Sequence, residues 1–439
     1  MPKGAATNPG SADPSVRGQE SDAQSLDADE SLGRLPRRQP DPFQSRIRGA
    51  RSMITAWHDE AELSARAGKP PEQAFVPGDV RLRGVLLNAA AALGAREELA
   101  ALNDLHNAVL RCRGDVGAIL HLARKLGISV PLPQQGRTLA LWQQLATLGA
   151  AELTAARIIE PHLDALAILA QAGQETLNTA GSTWGVFAAQ GPGQALTATP
   201  EGNGWRLAGD KPWCSMAESL SHALVTARIE NAIQLFAVDL DNPGITSAER
   251  QWRALGLPAV PSTGLSFHNV TALPVGAPDW YLHRPGFAWG GAGVAAIWHG
   301  AATAIARRLH QHCLSRKPDQ IALWQLGTVD QALWSANAAF QAAAAVADAG
   351  AGATMDAPGL QAIIVARLRA TVVSAAETVL SMAAHGMGPE PLAFEAEHAQ
   401  RVADLELYLR QDHAERSLAV HGAALLASAA DGASAVAPW

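Results

Sequence analysis

Between about residues 181 and 276 the chain stops reading as helix, and this interruption constrains the fold more than any other feature. WGVFAA, ALTATP, WRLAG, HALVTARI, AIQLFAVDL and STGLSFHNV are short runs rich in β-branched and aromatic residues. Gly, Pro, Asn and Asp separate them, the pattern of strands joined by turns. EGNGW (201–205) and LDNPG (240–244) are turn signals with a mechanism, because Asn and Gly tolerate positive φ and Pro presets it negative. On both sides of this region apolar residues recur at three- and four-residue spacing, as on one face of a helix. A compact β-domain set inside a helical protein follows, an α+β chain.

The flanks divide further. Residues 1–45 are rich in Ser, Asp, Gln, Pro and Gly and almost without aromatic or β-branched residues, so they read as a disordered tail. Residues 46–180 read as an N-terminal helical domain, 181–280 as the β-domain and 281–439 as a C-terminal helical bundle. In the N-terminal part the pattern is helical through RLRGVLLNAAAALGAREELAALNDLHNAVLRCRGDVGAILHLARKLG. It breaks at Pro131, Pro133 and Gly136, and resumes at Thr138. Pro161 is expected to split that second stretch into two helices with a turn near Glu160. Four long Ala-rich segments after residue 285 suggest a four-helix bundle; roughly one residue in five of the chain is alanine, the best helix former.

Composition excludes several classes. At 439 residues, 48% hydrophobic and 17% charged, the chain suits several folded domains rather than one small core. A net charge of −7 argues against a broad nucleic-acid footprint. Cys112, Cys214 and Cys313 form no CxxC pair, so neither a disulfide framework nor a cysteine zinc site is indicated. His310, His312 and Cys313 are close in sequence, but i, i+2, i+3 on a helix does not converge three ligands on a metal. GxGxxG and GxxxxGK[ST] are absent, which removes the Rossmann and P-loop readings. No apolar run reaches membrane-spanning length and the N-terminus lacks a signal pattern, so a cytoplasmic protein is expected.

The stretch GWRLAGDKPWCSMAESLSHALVTARIENAIQLFAVDLDNPGI (204–245) resembles the middle domain of the acyl-CoA dehydrogenase family. Gly204, Trp205, Leu207, Gly209, Lys211 and Trp213 match that family's G-W-x-L-x-G-x-K-x-W hairpin. Leu224, Val225, Leu235, Phe236, Val238 and Asp239 continue it into the next strands, and Trp252, Gly256, Leu257, Phe267 and Val270 follow. The helical, β, helical order fits the same family: an N-terminal α-helical domain, a middle β-barrel domain and a C-terminal four-helix bundle. The resemblance implies FAD bound between the β-domain and the bundle. It implies that Trp213 flanks the flavin and that the Ser215 hydroxyl meets flavin N5, where a group able both to donate and to accept is useful. Trp184 and Phe187 fall in the strand that contacts the flavin pyrimidine. Phe187, Ala188 and Ala189 stand where the family has Thr-Glu-Pro. Arg316 and Gln325 fall near the residues that reach the cofactor of a neighbouring subunit, so a homodimer or homotetramer is implied. The implied activity is oxidation of the CH–CH group of an acyl thioester, with electrons passed to an electron-transfer flavoprotein.

The family's catalytic glutamate is missing from both of its usual places. One falls on Arg410, which cannot accept a proton near neutral pH, and the other on Gly290. Nearby, Asp404, Tyr408, Asp412 and Glu415 share one face of a helix by spacing, and of their carboxylates Asp412 is the first candidate for the base. Glu160, His162 and Asp164 flank the Pro161 bend and line a cleft in one reading; a solvated or interhelical face is the ordinary alternative for each. Relatives that are flavin-dependent monooxygenases lack the glutamate and often use a histidine near the flavin, which makes His413 a candidate for that alternative chemistry. A family member without catalysis is the third reading.

Overall fold

The computed structural model describes residues 83–88, 96–191, 195–202, 204–247, 251–284, 286–349 and 358–430, all within the unit Val80–Trp439. The expected tail at 1–45 lies outside these residues. Among the described residues, four helices come first: α1 (Arg96–Cys112), α2 (Val116–Ser129), α3 (Thr138–Ala151) and α4 (Leu153–Gln171). Glu97 and Glu98 in the first turn of α1 and Arg111 in its last suit the helix dipole. Asp115 caps α2, accepting from the Ala118 N–H at 2.7 Å. Residues 83–88 carry a helical pattern but form an irregular segment. Side chains of neighbouring helices satisfy its backbone: Val85 N–H donates to Thr147 Oγ1 and Leu87 N–H to Gln143 Oε1, each at 3.0 Å.

The expected break at Glu160–Pro161 is displaced. The chain turns at Glu152, which is extended, and α4 runs unbroken through Pro161. A proline inside a helix sacrifices one hydrogen bond. Burial of Ile158, Ile159, His162, Ala165 and Ile168 along α4 offsets that loss.

Seven strands follow: β1 (Trp184–Phe187), β2 (Thr197–Glu201), β3 (Gly204–Ser215), β4 (His222–Ile229), β5 (Ala232–Asp239), β6 (Ile245–Ser247) and β7 (Ser262–Val275). β4, β2, β3, β7 and β5 pair in a ring that closes between β4 and β5, a barrel with β1 added beside β4 and β6 beside β7. Closure removes exposed edges. The 201–205 turn signal is the β2–β3 hairpin, with Glu201 opposite Gly204. Leu207, Phe236, Phe267 and Val270 fill the core. Buried Lys211 donates to Thr226 O and Oγ1 at 2.7 Å each, and burial lowers its pKa to about 8.

The remaining helices are α5 (Trp280–His283), α6 (Phe287–Leu314), α7 (Gln320–Ala349), α8 (Pro358–Met387), α9 (Glu390–Phe394), α10 (Ala396–Leu409) and α11 (Glu415–Ala430). The fourth expected long segment is therefore two helices. They part at residues 410–414, where Ala414 has φ 48° and its N–H donates to Asp412 Oδ2 at 2.9 Å. The face shared by Asp404, Tyr408, Asp412 and Glu415 is thereby broken up. Asp404 instead accepts from Leu257 N–H at 2.5 Å and Gln400 Nε2 at 2.6 Å, holding the 251–260 loop on α10.

Among the ties that join the N-terminal helices to the bundle, two fix α3. Asp348 near the end of α7 accepts from Thr138 Oγ1 at 2.5 Å and from Gly136 N–H at 3.0 Å, fixing the start of α3. Further along, α3 and α6 cross with backbone on backbone. A Cβ on Gly149 would overlap the Ile297 carbonyl, and one on Gly300 the Ala146 carbonyl. Gly300→Ala is expected to destabilise the chain by about 1–3 kcal/mol, since neither helix can yield locally. Gly327→Ala on α7, where a Cβ meets nothing within 4 Å, is expected to stabilise it by about 0.5–1 kcal/mol. Paired denaturant titrations read both.

Candidate functional site

The end of β3 is irregular in a way its sequence explains. Register against β7 shifts between Lys211 and Cys214, a bulge. Within it Trp213 has φ 60°, a conformation rare for a bulky residue, and its side chain is largely exposed, the residue retaining 57% of its surface. Strain and an exposed aromatic face coincide, a combination typical of ligand sites. Two residues on, Ser215 is buried. Its Oγ accepts from Arg157 Nη2 at 3.1 Å and shares a hydrogen bond with Ser262 Oγ at 2.8 Å.

Arg157 leads into the helical domain. Its guanidinium lies 5.5 Å from the Tyr408 ring centre, a cation–π contact. Tyr408 is buried edge-on to Trp298, and its hydroxyl has no hydrogen-bond partner. Arg157, Glu160 and Asp164 stand at i, i+3 and i+7 on α4, one face of the helix. The far end of that face lines a cavity of about 50 Å³, room for a few waters or a small apolar group. Its walls are mainly apolar: Val130, Pro131, Trp142, Leu163, Leu166 and Trp289. Trp142 there keeps a buried indole N–H without a partner.

Glu160 and Asp164 are the charged residues lining this cavity. Asp164 pairs with buried Arg284 at 3.6 Å, and Arg284 also donates to Gln171 Oε1 at 2.7 Å. Burial raises the Asp164 pKa, against the pull of Arg284. Burial and then the Asp164 charge push Glu160 up to about 7, with Arg157 opposing. Across the cavity stands Gly290 in the first turn of α6; a Cβ there would lie 3.3 Å from Asp164 Oδ1.

The other sequence candidates lie as follows. Trp184 is buried, its Nε1 donating to Asn178 Oδ1 at 3.0 Å and its ring 4.8 Å from that of His222. Phe187 is also buried, in the main core. His162 accepts from the Trp184 N–H at 3.2 Å, and burial lowers its pKa to about 4. Arg316 and Gln325 both meet Gly386 near the end of α8. Arg316 donates to its carbonyl at 3.3 Å, and the buried Gln325 carboxamide lies 2.7 Å from where a Gly386 Cβ would be. Asp412 has both oxygens engaged, one by Ala414 N–H and one by Arg369 Nη2 at 3.3 Å. Arg369 in turn donates to Gly291 O at 2.8 Å and stacks 4.6 Å from the Trp298 ring centre. His413 is exposed in the turn between α10 and α11. Arg410 is exposed and pairs with Glu377. Arg157 and Arg284 carry no motif; only the i, i+3 spacing of Arg157 from Glu160 could have singled it out.

Comparison with known proteins follows the same lines. The family model for the acyl-CoA dehydrogenase middle domain matches residues 180–270. No curated protein sequence matches. Among solved structures the chain is similar to the dibenzothiophene monooxygenase TdsC from Paenibacillus sp. A11-2, at 15% identity over 74% of this chain and 96% of that one, with a TM-score of 0.64. TdsC has also been solved with FMN bound. It is similar to butyryl-CoA dehydrogenase from Megasphaera elsdenii, at 17% identity over 75% and 97% of the two chains, with a TM-score of 0.64. It is similar to KijD3, solved in complex with FMN and dTDP-3-amino-2,3,6-trideoxy-4-keto-3-methyl-D-glucose, at 19% identity over 76% and 92%, with a TM-score of 0.62. These likenesses concern the fold. Residues 180–270 match the acyl-CoA dehydrogenase middle domain, and the fold of the chain that carries them is acyl-CoA dehydrogenase-like.

Proposed function

We propose that this chain is a flavin-dependent oxidoreductase that oxidises the CH–CH group of a short acyl thioester. One observation carries the reading: a single face of α4 runs from the β3 end, at Ser215, to an apolar cavity that holds two carboxylates. FAD is the flavin implied by the resemblance, and the residues fit such a group. Trp213 offers a strained, exposed ring suited to lie along a flat aromatic ligand. Ser215 offers a hydroxyl beside a guanidinium, able to answer a ring nitrogen in either protonation state. A bound flavin supplies a two-electron acceptor there.

The chain's own residues supply the rest. Arg157 keeps positive charge at Ser215 and orients its hydroxyl. Trp142, Leu163, Leu166 and Trp289 give the cavity its apolar lining, and its small volume supports a short acyl group. The unpartnered Trp142 N–H suits a ligand with a carbonyl acceptor. Electrons would pass to an electron-transfer flavoprotein. A homodimer or homotetramer belongs to the same reading, supported by the exposed Ile321, Trp324 and Trp334 of α7. A role for Arg316 and Gln325 in a neighbouring subunit's site depends on that assembly. Trp184 and Phe187 would support the flavin strand from within the core rather than touch the cofactor.

A second reading has its own observation. Gly290 and Arg410 occupy the family's base positions, and solved structures of this fold include a monooxygenase. Anaerobic mixing of the flavin-loaded protein with a panel of acyl-CoAs separates the two. Bleaching of the flavin is expected. No bleaching, with oxygen transferred to an added aromatic substrate when reduced flavin is supplied, would favour the monooxygenase.

Two substitutions follow. Ser215→Ala is expected to weaken flavin binding by about 1 kcal/mol, read by fluorescence titration. Asp412→Asn is expected to keep flavin reduction while destabilising the fold by about 1–3 kcal/mol, since it leaves Arg369 short of its partner. A stable Asp412→Asn variant that no longer reduces flavin would return Asp412 to the role of base.

A further inference from the structure

The cavity poses a problem that the family pattern does not solve. Oxidation next to a carbonyl needs a proton acceptor within reach of the reacting carbon, and neither usual position supplies one. Gly290 does more than omit a side chain. Its missing Cβ leaves a gap whose opposite wall, 3.3 Å from where that atom would be, is the Asp164 carboxylate. An acid grown from position 290 would meet that carboxylate head-on. The carboxylates stand on α4 instead, one turn apart and on the face that carries Arg157 to Ser215.

We propose that Glu160 and Asp164 hold one proton between them at rest, and that Glu160, once this proton has left to solvent, is the base that takes the proton from the ligand, in place of the acid missing at Gly290. This rests on the oxidoreductase reading above. The C–H bond beside the carbonyl breaks, its electron pair stays on carbon and its hydrogen becomes the acid proton of Glu160. The neighbouring hydrogen leaves with its own pair, and the bound flavin is the oxidant that accepts it. The surroundings divide the two carboxylates. Asp164 has Arg284 as an ion-pair partner and stays the more anionic. Glu160 has no hydrogen bond to Arg157, and feels both burial and the Asp164 charge. Tyr281 beside Arg284 and Tyr408 beside Arg157 are further titratable groups around the pair. A carboxyl poised near pH 7 is a far stronger base than one at the ordinary carboxylate value.

An acyl-CoA with sulfur in place of its β-carbon tests this on the flavin-loaded protein, because it can lose an α-proton but has no β-hydrogen to give. Exchange of that proton into D2O, followed by NMR, should rise with pH through about 7. It should fall about 10²–10⁴-fold in Glu160→Gln. Asp164→Asn should shift the midpoint to lower pH, since a like charge is removed. Infrared spectra should show a protonated carboxyl band that disappears on raising the pH and is absent in Glu160→Gln. Exchange that survives Glu160→Gln, or a midpoint unmoved by Asp164→Asn, would overturn the pair's role and leave the oxidoreductase reading intact. A titrating band in a wild type that exchanges no thioester would leave the shared proton standing and sink the thioester reading. Absence of the band would overturn the shared proton itself.

Discussion

The α3–α6 crossing sets the depth of everything that faces the cavity. Gly149 and Gly300 let the two backbones touch, so α6 sits closer to the N-terminal helices than any side chain would allow. That approach brings Trp289 and Gly290, at the start of α6, against the acidic face of α4. The α3 end is held as well: Arg401 on α10 donates to the carbonyls of Ala150 and Ala151. This favours the exposed end of the helix dipole. Lengthening these contacts would widen the cavity and weaken the burial that raises the Glu160 pKa.

The second dependence is on α4 itself. Its passage through Pro161 without a break keeps Arg157, Glu160 and Asp164 in one line, spanning about 10 Å along the axis from the β-domain to the cavity. A turn at Glu160 would have pointed the carboxylates away from Ser215. The strain at Trp213 matters for the complementary reason. A regular β3 would alternate Trp213 into the packed sheet, and the bulge turns it outward.

Much of the architecture is legible in the residues. Short β-branched runs between turn residues mark the barrel, and EGNGW marks its first hairpin. The long Ala-rich periodic segments mark α6, α7 and α8. Local signals fail where tertiary contacts decide. Pro161 reads as a breaker because its hydrogen-bond loss is local, while the burial that outweighs it is not. The split at 410–414 carries no Gly or Pro; it depends on Asp412 capping Ala414 and pairing with Arg369 from another helix. The same pairing is why Asp412, well placed by sequence, has no free carboxylate oxygen. At the site, Trp213 and Ser215 stand out through their motif. Arg157, Arg284 and the apposition of Gly290 to Asp164 do not, because each is a contact between residues 58 or more positions apart or between helices with no shared pattern.

The central claim is that one face of α4 links a flavin at the β3 end to a carboxylate pair at Gly290. A crystal structure of the flavin-loaded protein with a substrate analogue tests it most directly. The account predicts the flavin ring along Trp213 with its N5 edge at Ser215, and the analogue's α-carbon within hydrogen-bond reach of Glu160. A flavin seated away from Trp213, or an analogue whose α-carbon lies beside Asp412 or His413 instead, would contradict it.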